Sequence, residues 1–340
     1  MKTLTDNDFQ NATSLVTSWK RPLLVTHTKP DGDAVGSVLA VRELLQQIGA
    51  SPLAVLFGKI PNRYSPFASF DSIASWNEGV STGDIDHCDG VIVLDTCSYG
   101  QLEPIAKWLR ESDRPTLAID HHKTRDELAT HYCIDESAAA NCLILYEWAR
   151  VAGWKITEAI ARALFCGIAM DTGWFRHSNT DSRVFDAVSG IVSHGVSPSV
   201  VYEGLYHQDS QARIRLLGKA VATLELHCGG RLATMHLMWD SFKSVNALMS
   251  DAEDVVNEPL RIASVIVSVL FVEQQDGTVR VNLRSKPPTV TRGVDIDVAQ
   301  IAQALGGGGH ARAAGVRFDT TVQDARDRVL GRLMKLMPQG

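Results

Sequence analysis

The sequence lacks cysteine pairs, long apolar runs and an excess of basic charge, and each absence excludes a class of protein. Its six cysteines are dispersed among 340 residues without a CxxC pair, which argues against thiolate zinc sites and a disulfide framework. The longest uncharged apolar stretch, residues 263–272, is too short to cross a bilayer. The first residues lack the charged and then apolar layout of a secretory signal. We therefore expect a cytoplasmic protein without a membrane anchor.

The charge of the chain is modest and mixed in sign. Lysine and arginine number 33 against 39 acidic residues, a formal net charge of −6 at pH 7. Because no strongly basic segment dominates, tight binding of duplex DNA is not expected. A small anionic substrate held by a few well-placed cations is compatible with this composition.

The first half of the chain alternates apolar runs with amphipathic segments. The runs at 22–25, 90–94 and 116–119 are continuous, which is typical of strands buried on both faces of a parallel sheet. Residues 34–48 and 102–110 have the apolar periodicity of helices and follow the first two of these strands. This alternation predicts an α/β domain with a mostly parallel sheet flanked by helices.

The pattern changes after residue 226. Residues 264–272 and 278–283 read as a β-hairpin, and the helices around them do not alternate regularly with strands. We therefore predict a smaller α+β domain in the C-terminal part. The resulting domain assignment is 1–195 for the first domain, 196–226 for a linker and connecting helix, and 227–340 for the second domain.

Four separated segments carry side chains that bind metal ions. They contribute His27, Asp31 and Asp33 from THTKPDGDAVGS, then Asp95, then Asp120, His121 and His122, and finally Asp171. A single aspartate after a strand is ordinarily a turn residue or a helix cap. Three of these segments, however, follow buried strands, whose carboxyl ends meet at one edge of a parallel sheet. So many carboxylates in one place would repel one another unless cations were present.

The chemistry of this set favours particular metals. Oxygen-rich sites with few imidazoles suit Mn²⁺ or Mg²⁺, whereas structural zinc prefers thiolate and imidazole. Two such ions about 3.5–4 Å apart activate water and offset the charge that builds on phosphoryl oxygens. The residues therefore predict a two-metal phosphohydrolase.

The same segments resemble a known family. HTKPDGDAVGS, LDT, IDHH and MDTGWFRHSNT are similar, in order, to the four motifs of the DHH phosphoesterases. LRS followed by GGGGHARAAG resembles the C-terminal domain associated with that family. Together the motifs span residues 26–315. The compact length resembles the NrnA-type branch, which combines oligoribonuclease with 3′-phosphoadenosine 5′-phosphate (PAP) phosphatase activity.

The resemblance implies roles for the metal-type residues. Two Mn²⁺ ions, with Mg²⁺ or Co²⁺ as alternatives, would be held by six ligands. These are His27 and Asp31 for the first ion, Asp33, His121 and Asp171 for the second, and Asp95 as the bridge. His122 would contact the scissile phosphate, with Asp120 orienting it.

The resemblance also implies a substrate-binding set in an interdomain cleft. Consecutive glycines let backbone N–H groups approach a phosphate, and cationic side chains add donors. The expected substrate-binding residues are Arg284, Ser285, Gly307, Gly308, Gly309, His310, Arg176 and Ser178. For Arg176 a surface ion pair is an equal alternative. Trp174 and Phe175 are interpreted as core residues in preference to base-stacking residues.

The expected activity is hydrolysis of very short oligoribonucleotides to 5′-mononucleotides, together with removal of the 3′-phosphate of PAP. The alternatives are an exonuclease for longer single strands, a phosphodiesterase for linear or cyclic dinucleotides, and a nucleotide-binding regulatory protein without catalysis. The expected partners are short single-stranded RNA or a nucleotide, with neither duplex DNA nor a membrane. A homodimer is left open.

Overall fold

The chain folds into two compact units, residues 1–208 and 209–340. We describe the two units separately from a computed structural model. It describes residues 3–57, 64, 73–76, 78–291 and 293–337. The division between the units falls inside the segment 196–226, which the sequence assigns to a linker and connecting helix.

The first unit contains a six-stranded parallel sheet in its described residues. Its strands are β1 (Leu23–Val25), β2 (Leu53–Leu56), β3 (Ala74–Ser75), β4 (Val91–Leu94), β5 (Thr116–Asp120) and β6 (His131–Ile134). The strand order is β3-β2-β1-β4-β5-β6, with every neighbouring pair parallel. The predicted parallel sheet is therefore confirmed, and β1, β4 and β5 lie side by side at its centre.

Helices cover both faces of this sheet. They are α1 (Asp6–Thr17), α2 (Gly32–Gln47), α3 (Thr82–Ile85), α4 (Ala106–Glu111), α5 (Asn141–Val151), α6 (Glu158–Asp171), α7 (Ser182–Val192) and α8 (Pro198–Tyr206). Along β4, Ile92 belongs to the apolar cluster on the side of α2, α5 and α6, whereas Val91 and Val93 belong to the cluster with α4. This two-sided burial is the reason that the strands are apolar throughout.

Two segments differ from the sequence-based expectation. The predicted helix 102–110 is interrupted, because a short 3-10 turn at Glu103–Ile105 precedes α4. Residues 198–206, assigned to a linker, form α8, which buries Val201 and Leu205 in the core of the first unit. Pro198 suggested a break in structure, but it occupies the first turn of α8, where its missing N–H costs no hydrogen bond.

The second unit contains a mixed sheet and has the predicted α+β character. Its strands are β7 (Glu225–His227), β8 (Leu232–Leu237), β9 (Val267–Glu273), β10 (Val279–Ser285), β11 (Gly308–His310) and β12 (Ala313–Phe318), in the order β11-β12-β10-β9-β8-β7. Its helices are α9 (Gln211–Ala222), α10 (Trp239–Lys243), α11 (Val298–Gln303) and α12 (Val322–Leu336). The pair β8 and β9 is parallel, and the other pairs are antiparallel.

The glycine-rich segment contains a regular edge strand. Gly306, with a φ of 87°, follows the end of α11. Gly308, Gly309 and His310 then form the exposed edge strand β11, which pairs with β12. A Cβ on Gly309 would lie 2.5 Å from the carbonyl oxygen of Ala313. The absence of a side chain therefore permits this pairing.

No helix among the described residues is both long enough and apolar enough to cross a membrane.

Candidate active site

The loop after β1 brings three metal-type side chains to the carboxyl edge of the sheet. Asp31 caps α2, since its Oδ1 accepts the N–H groups of Asp33 and Ala34 at 3.0 and 3.1 Å. This cap places Asp33 in the first turn of the helix, fully buried. The intervening Gly32 is packed so closely that a Cβ on it would lie 2.4 Å from Cγ of Met170.

Asp95 occupies the centre of the edge, directly after β4. Its φ is 59°, a left-handed conformation that aspartate tolerates better than most residues do. Its Oδ2 lies 3.5 Å from Nε2 of His27, and its Oδ1 lies 3.4 Å from Nε2 of His121. Asp95 therefore stands between imidazoles supplied by two different strand ends.

The end of β5 orients two histidines in different ways. Asp120 is buried, and its Oδ1 accepts the Nδ1–H of His122 at 2.7 Å as well as the backbone N–H groups of both histidines. His121 instead donates its Nδ1–H to the carbonyl oxygen of Ala138 at 3.1 Å. Its Nε2 is thereby directed at the carboxylates, 3.3 Å from Oδ2 of Asp171. Such partners fix the tautomer of an imidazole that binds metal.

The six expected metal ligands form two neighbouring groups. His27, Asp31 and Asp95 make one group, in which ligand atoms lie within 4.8 Å of one another. Under the same limit, the second group contains the side chains of Asp33, His121 and Asp171. The contact between Asp95 and His121 joins the groups. Asp171 reaches the cluster from the last residue of α6, not from a strand.

The first turn of α5 holds Asp33, a feature that the sequence analysis missed. The backbone N–H groups of Asn141 and Cys142 donate to Oδ2 and Oδ1 of Asp33 at 2.5 and 2.9 Å. Asn141 is fully buried and donates its Nδ2–H to Ser37 Oγ at 2.8 Å. The N-terminus of a helix also favours negative charge. Because the donors are backbone groups, the only sequence signal is the run of small residues that precedes α5.

Burial and mutual repulsion set the protonation of the metal-free cluster. Burial, with the nearby charges of Asp95 and Asp171, raises the pKa of Asp33 well above its ordinary value. Burial and Asp95 likewise raise the pKa of Asp171 to about 7. Burial disfavours the charged form of His121, but its contact with Asp95 and the charges of Asp33 and Asp171 outweigh that effect and raise its pKa to about 10.

Asp95 shows the opposite shift. Burial would raise its pKa, yet its contacts with His121 and His27 outweigh burial and lower it. The same contact raises the pKa of His27 against the effect of burial. The hydrogen bond to Asp120 raises the pKa of His122, with burial acting in the opposite direction. The cluster thus keeps Asp95 ionised and gathers protons around it.

The donor set fits divalent cations. Among the described residues, the buried Oδ1 of Asp95 and Nε2 of His121 have no hydrogen-bond partner, although they face each other at 3.4 Å. Buried polar atoms are normally hydrogen-bonded, and carboxylates converge in this way around a cation. Four carboxylates and two imidazoles match the preferences of Mn²⁺ or Mg²⁺.

Comparison with known families identifies two domains in the chain. Residues 22–168 match the model of the DHH family, N-terminal domain, and residues 241–336 match the DHHA1 domain. A DHH domain and a DHHA1 domain are therefore present in this chain. The first unit therefore contains the DHH domain and the second unit contains the DHHA1 domain.

Curated relatives and a solved structure match most of the chain. The bifunctional oligoribonuclease and PAP phosphatase NrnA of Thermus thermophilus is 28% identical over 315 residues, covering 90% of this chain and 87% of the relative. NrnA of Bacillus subtilis is 26% identical over 317 residues, covering 92% and 94%. A crystal structure of an exopolyphosphatase-related protein from Bacteroides fragilis superposes with a TM-score of 0.87 at 20% identity, covering 98% of each chain. This last likeness shows the fold.

The loop after Asp171 carries two of the expected substrate-binding residues of the DHH unit. Asn179 anchors the loop, since its Nδ2–H groups donate to the carbonyl oxygens of Asp171 and Ala139 at 3.2 and 3.1 Å. Arg176 and Ser178 are exposed on it. Nε of Arg176 donates to the carbonyl oxygen of Gly173 at 2.7 Å, and no carboxylate of the described residues pairs with this guanidinium. The surface ion pair that was the alternative for Arg176 is therefore not formed among the described residues.

The remaining expected residues lie in the DHHA1 unit. Arg284 is half-buried on β10, where burial lowers its pKa, and its Nη1 donates to the carbonyl oxygen of Leu283 at 3.1 Å. Ser285 is buried, and its hydroxyl donates to the carbonyl oxygen of Ile296 at 2.8 Å. Gly307 is partly exposed, whereas Gly308, Gly309 and His310 are exposed. Ser285 thus differs from the rest of the set because its hydroxyl is already engaged inside the unit.

Trp174 and Phe175 are partly buried and pack against the core of the DHH unit, as expected. Their ring centroids lie 5.9 and 6.0 Å from that of Phe165. Both have positive φ values, 58° and 63°, directly after Gly173 at 54°. Three consecutive left-handed residues make a tight turn beside Asp171.

Proposed function

We propose that this protein is a metal-dependent phosphohydrolase that degrades very short oligoribonucleotides to 5′-mononucleotides and removes the 3′-phosphate of PAP. The observation that carries the proposal is the pair of ligand groups joined by Asp95, with His122 hydrogen-bonded to Asp120 beside them. Two named NrnA relatives, aligned over most of their length, support this choice of substrates.

The residues of the DHH unit divide the work of the site. Two Mn²⁺ ions bound by the six ligands would supply an activated water molecule and offset negative charge on the phosphoryl oxygens. Asp95 shares its two oxygens between the groups and keeps them together. Because Asp120 engages Nδ1 of His122, its Nε2 is available to a phosphate oxygen, and the side chain is 48% exposed. Asp120 thereby holds the imidazole in one orientation.

The DHHA1 unit supplies anion-binding groups for the substrate. The described residues offer no carboxylate within ion-pair distance of Arg284, so its guanidinium is available to a phosphate. Exposed backbone at Gly308 and Gly309, with the imidazole of His310, adds donors of the kind that bind phosphate. Ser285 contributes indirectly, since its hydroxyl bonds the carbonyl oxygens of Ile296 and Ala311 that flank this region.

The test is turnover by the purified full chain with Mn²⁺. Labelled dinucleotide, PAP and a longer single-stranded RNA are compared at matched concentrations. Release of 5′-mononucleotide from the dinucleotide and of phosphate from PAP supports the proposal. Intact dinucleotide and intact PAP, with a protein shown to be folded by circular dichroism, would refute it. Faster cleavage of the longer strand would favour the exonuclease alternative instead.

A further inference from the structure

Beside the metal cluster, the DHH unit exposes an aromatic surface that the proposed chemistry does not use. We define this aromatic surface by Trp174, Tyr202 and Tyr206. Tyr202 and Tyr206 are four residues apart on α8, with ring centroids 4.9 Å apart and an interplanar angle of 31°. Trp174 meets them edge to face at 4.9 and 5.8 Å. The tyrosines are 40% and 39% exposed.

The backbone under this surface is held in an unusual conformation. Trp174 has a φ of 58°, which is rare for a bulky residue and persists only where the surroundings enforce it. Its N–H donates to the carbonyl oxygen of Ala169 at 2.6 Å, which anchors the turn on α6. Its buried indole Nε1 has no hydrogen-bond partner among the described residues. The indole is therefore held by ring contacts and the turn, and not by a polar bond.

Two contacts connect the aromatic surface with the metal-ligand loop. The hydroxyl of Tyr206 lies 3.4 Å from Sδ of Met170, the residue before Asp171. Cγ of Met170 in turn lies 2.4 Å from the Cβ position of Gly32, which stands between Asp31 and Asp33. The metal ligands beside these contacts reach solvent, since the side chains of Asp31 and Asp171 are 49% and 27% exposed.

We propose that the aromatic surface, with Tyr206 as its principal contact, is a stacking subsite for one nucleobase of the oligonucleotide substrate. The inference rests on the proposed function. A nucleobase is planar and is separated from the cleaved phosphate by one sugar. Any of the bases can stack on an aromatic ring.

The decisive experiment is a double cycle between enzyme and substrate. A dinucleotide and two abasic analogues, each with one base replaced by hydrogen, are compared on the wild type and on Tyr206→Ala. We expect the substitution to raise KM for the intact dinucleotide by about tenfold or more. For the wild type, removal of the one base that stacks on Tyr206 should raise KM by the same factor as the substitution does. For Tyr206→Ala, removal of that base should raise KM little further. Tyr206→Phe keeps the ring and should resemble the wild type.

Controls separate stacking from a structural role. Tyr132→Ala removes a tyrosine of equal exposure, 39%, from β6 and should leave the KM values unchanged. A structural role through Met170 would impair Tyr206→Phe as well and would weaken Mn²⁺ binding measured by calorimetry. Either of those results would overturn the inference. It would also be overturned if, for both abasic analogues, the effects on KM of removing the base and of Tyr206→Ala were additive.

Two further outcomes complete the test. Light scattering shows whether Tyr206→Ala converts a dimer into a monomer. If it does, and if the effects of the substitution and of base removal on KM are additive, the surface binds a second copy and the inference is wrong. If the wild type cleaves the dinucleotide and the variant retains its KM, the proposed function stands and only the stacking subsite fails. If the wild type leaves the dinucleotide intact, the stacking subsite is overturned, and the proposed function is overturned with it if PAP is also left intact.

Discussion

The α-carbon of Gly167 lies directly against the carboxylate of Asp33. A Cβ on Gly167 would be 2.6 Å from Oδ1 of Asp33 and 2.3 Å from Sγ of Cys142. Gly36 makes a similar approach, with its Cβ position 2.5 Å from the carbonyl oxygen of Ala163. These two glycines let α6 pack closely on α2, and this packing brings Asp171 to the metal cluster.

Gly167→Ala should therefore disturb the metal site while the sheet remains intact. The added methyl group must displace Asp33 or Cys142, since real Cβ atoms do not approach other atoms so closely. We expect at least about a tenfold loss of Mn²⁺ affinity and a loss of about 1–3 kcal/mol in the free energy of unfolding. Isothermal titration calorimetry and urea denaturation measure these two effects.

The matched control is Gly218→Ala on α9. Apart from the backbone of α9 itself, no atom of the described residues lies within 4 Å of a Cβ there, so helix propensity alone should stabilise the protein by up to about 1 kcal/mol. Unchanged Mn²⁺ affinity in Gly167→Ala would show that the close approach does not position Asp33.

Asp95→Asn should abolish activity and preserve the fold. Asparagine also tolerates a φ of 59°, so the turn after β4 should remain, whereas Asp95→Ala adds backbone strain. Loss of the shared carboxylate should lower turnover by at least about a hundredfold. Replacing a residue that only hydrogen-bonds to a metal ligand already lowers metal affinity or activity by up to about that factor. Asp113→Asn, at an exposed position, serves as the control. Turnover near the wild-type level in Asp95→Asn would contradict the shared-ligand role.

Asp120→Asn should act on kcat through His122. The substitution removes the charge that holds Nδ1–H of His122 at 2.7 Å, without removing a metal ligand. We expect kcat to fall by about ten- to a hundredfold with little change in KM. Adding His122→Ala to Asp120→Asn should cost little more, because both residues act as a unit. Fully additive losses would mean that Asp120 acts independently of His122.

Mn²⁺ binding should release protons. The pKa of Asp171 is raised to about 7, by burial and by Asp95, and that of His121 to about 10. The metal-free cluster therefore holds protons at neutral pH, and a cation must displace them. Affinity should rise as pH increases from about 6 to 8. Calorimetry in buffers of different ionisation enthalpy measures the release, and an affinity that is independent of pH would refute it.

Arg284→Ala should weaken substrate capture more than chemistry. A guanidinium bound to a phosphate contributes about 1.5–3 kcal/mol, so we expect KM for the dinucleotide to rise by at least about tenfold at nearly constant kcat. Arg280→Ala is the matched control, because this arginine lies on the same strand and is exposed. Equal effects of the two substitutions would mean that Arg284 acts only through its positive charge and not through a specific contact with a phosphate.

Much of the framework follows from local pattern. Continuous apolar runs predicted the central strands of the parallel sheet, because burial on both faces permits no polar alternation. The same logic missed α8, since residues 198–206 were assigned to a linker although a helix begins there at Pro198. The four glycines at 306–309 likewise indicate backbone freedom, and they give no sign of the edge strand that residues 308–310 form by pairing with β12.

The site divides in a similar way. Residue type and position singled out eight metal-type side chains, because carboxylates and imidazoles carry their chemistry locally. The resemblance to the DHH phosphoesterases then narrowed these eight to six expected ligands. Tertiary structure alone decided how they are grouped and held. Asp33 is oriented by the backbone N–H groups of Asn141 and Cys142, which have no side-chain signature. Asp171 reaches the cluster because α6 packs against α2 at Gly36 and Gly167, and such an approach depends on contacts between segments distant in sequence.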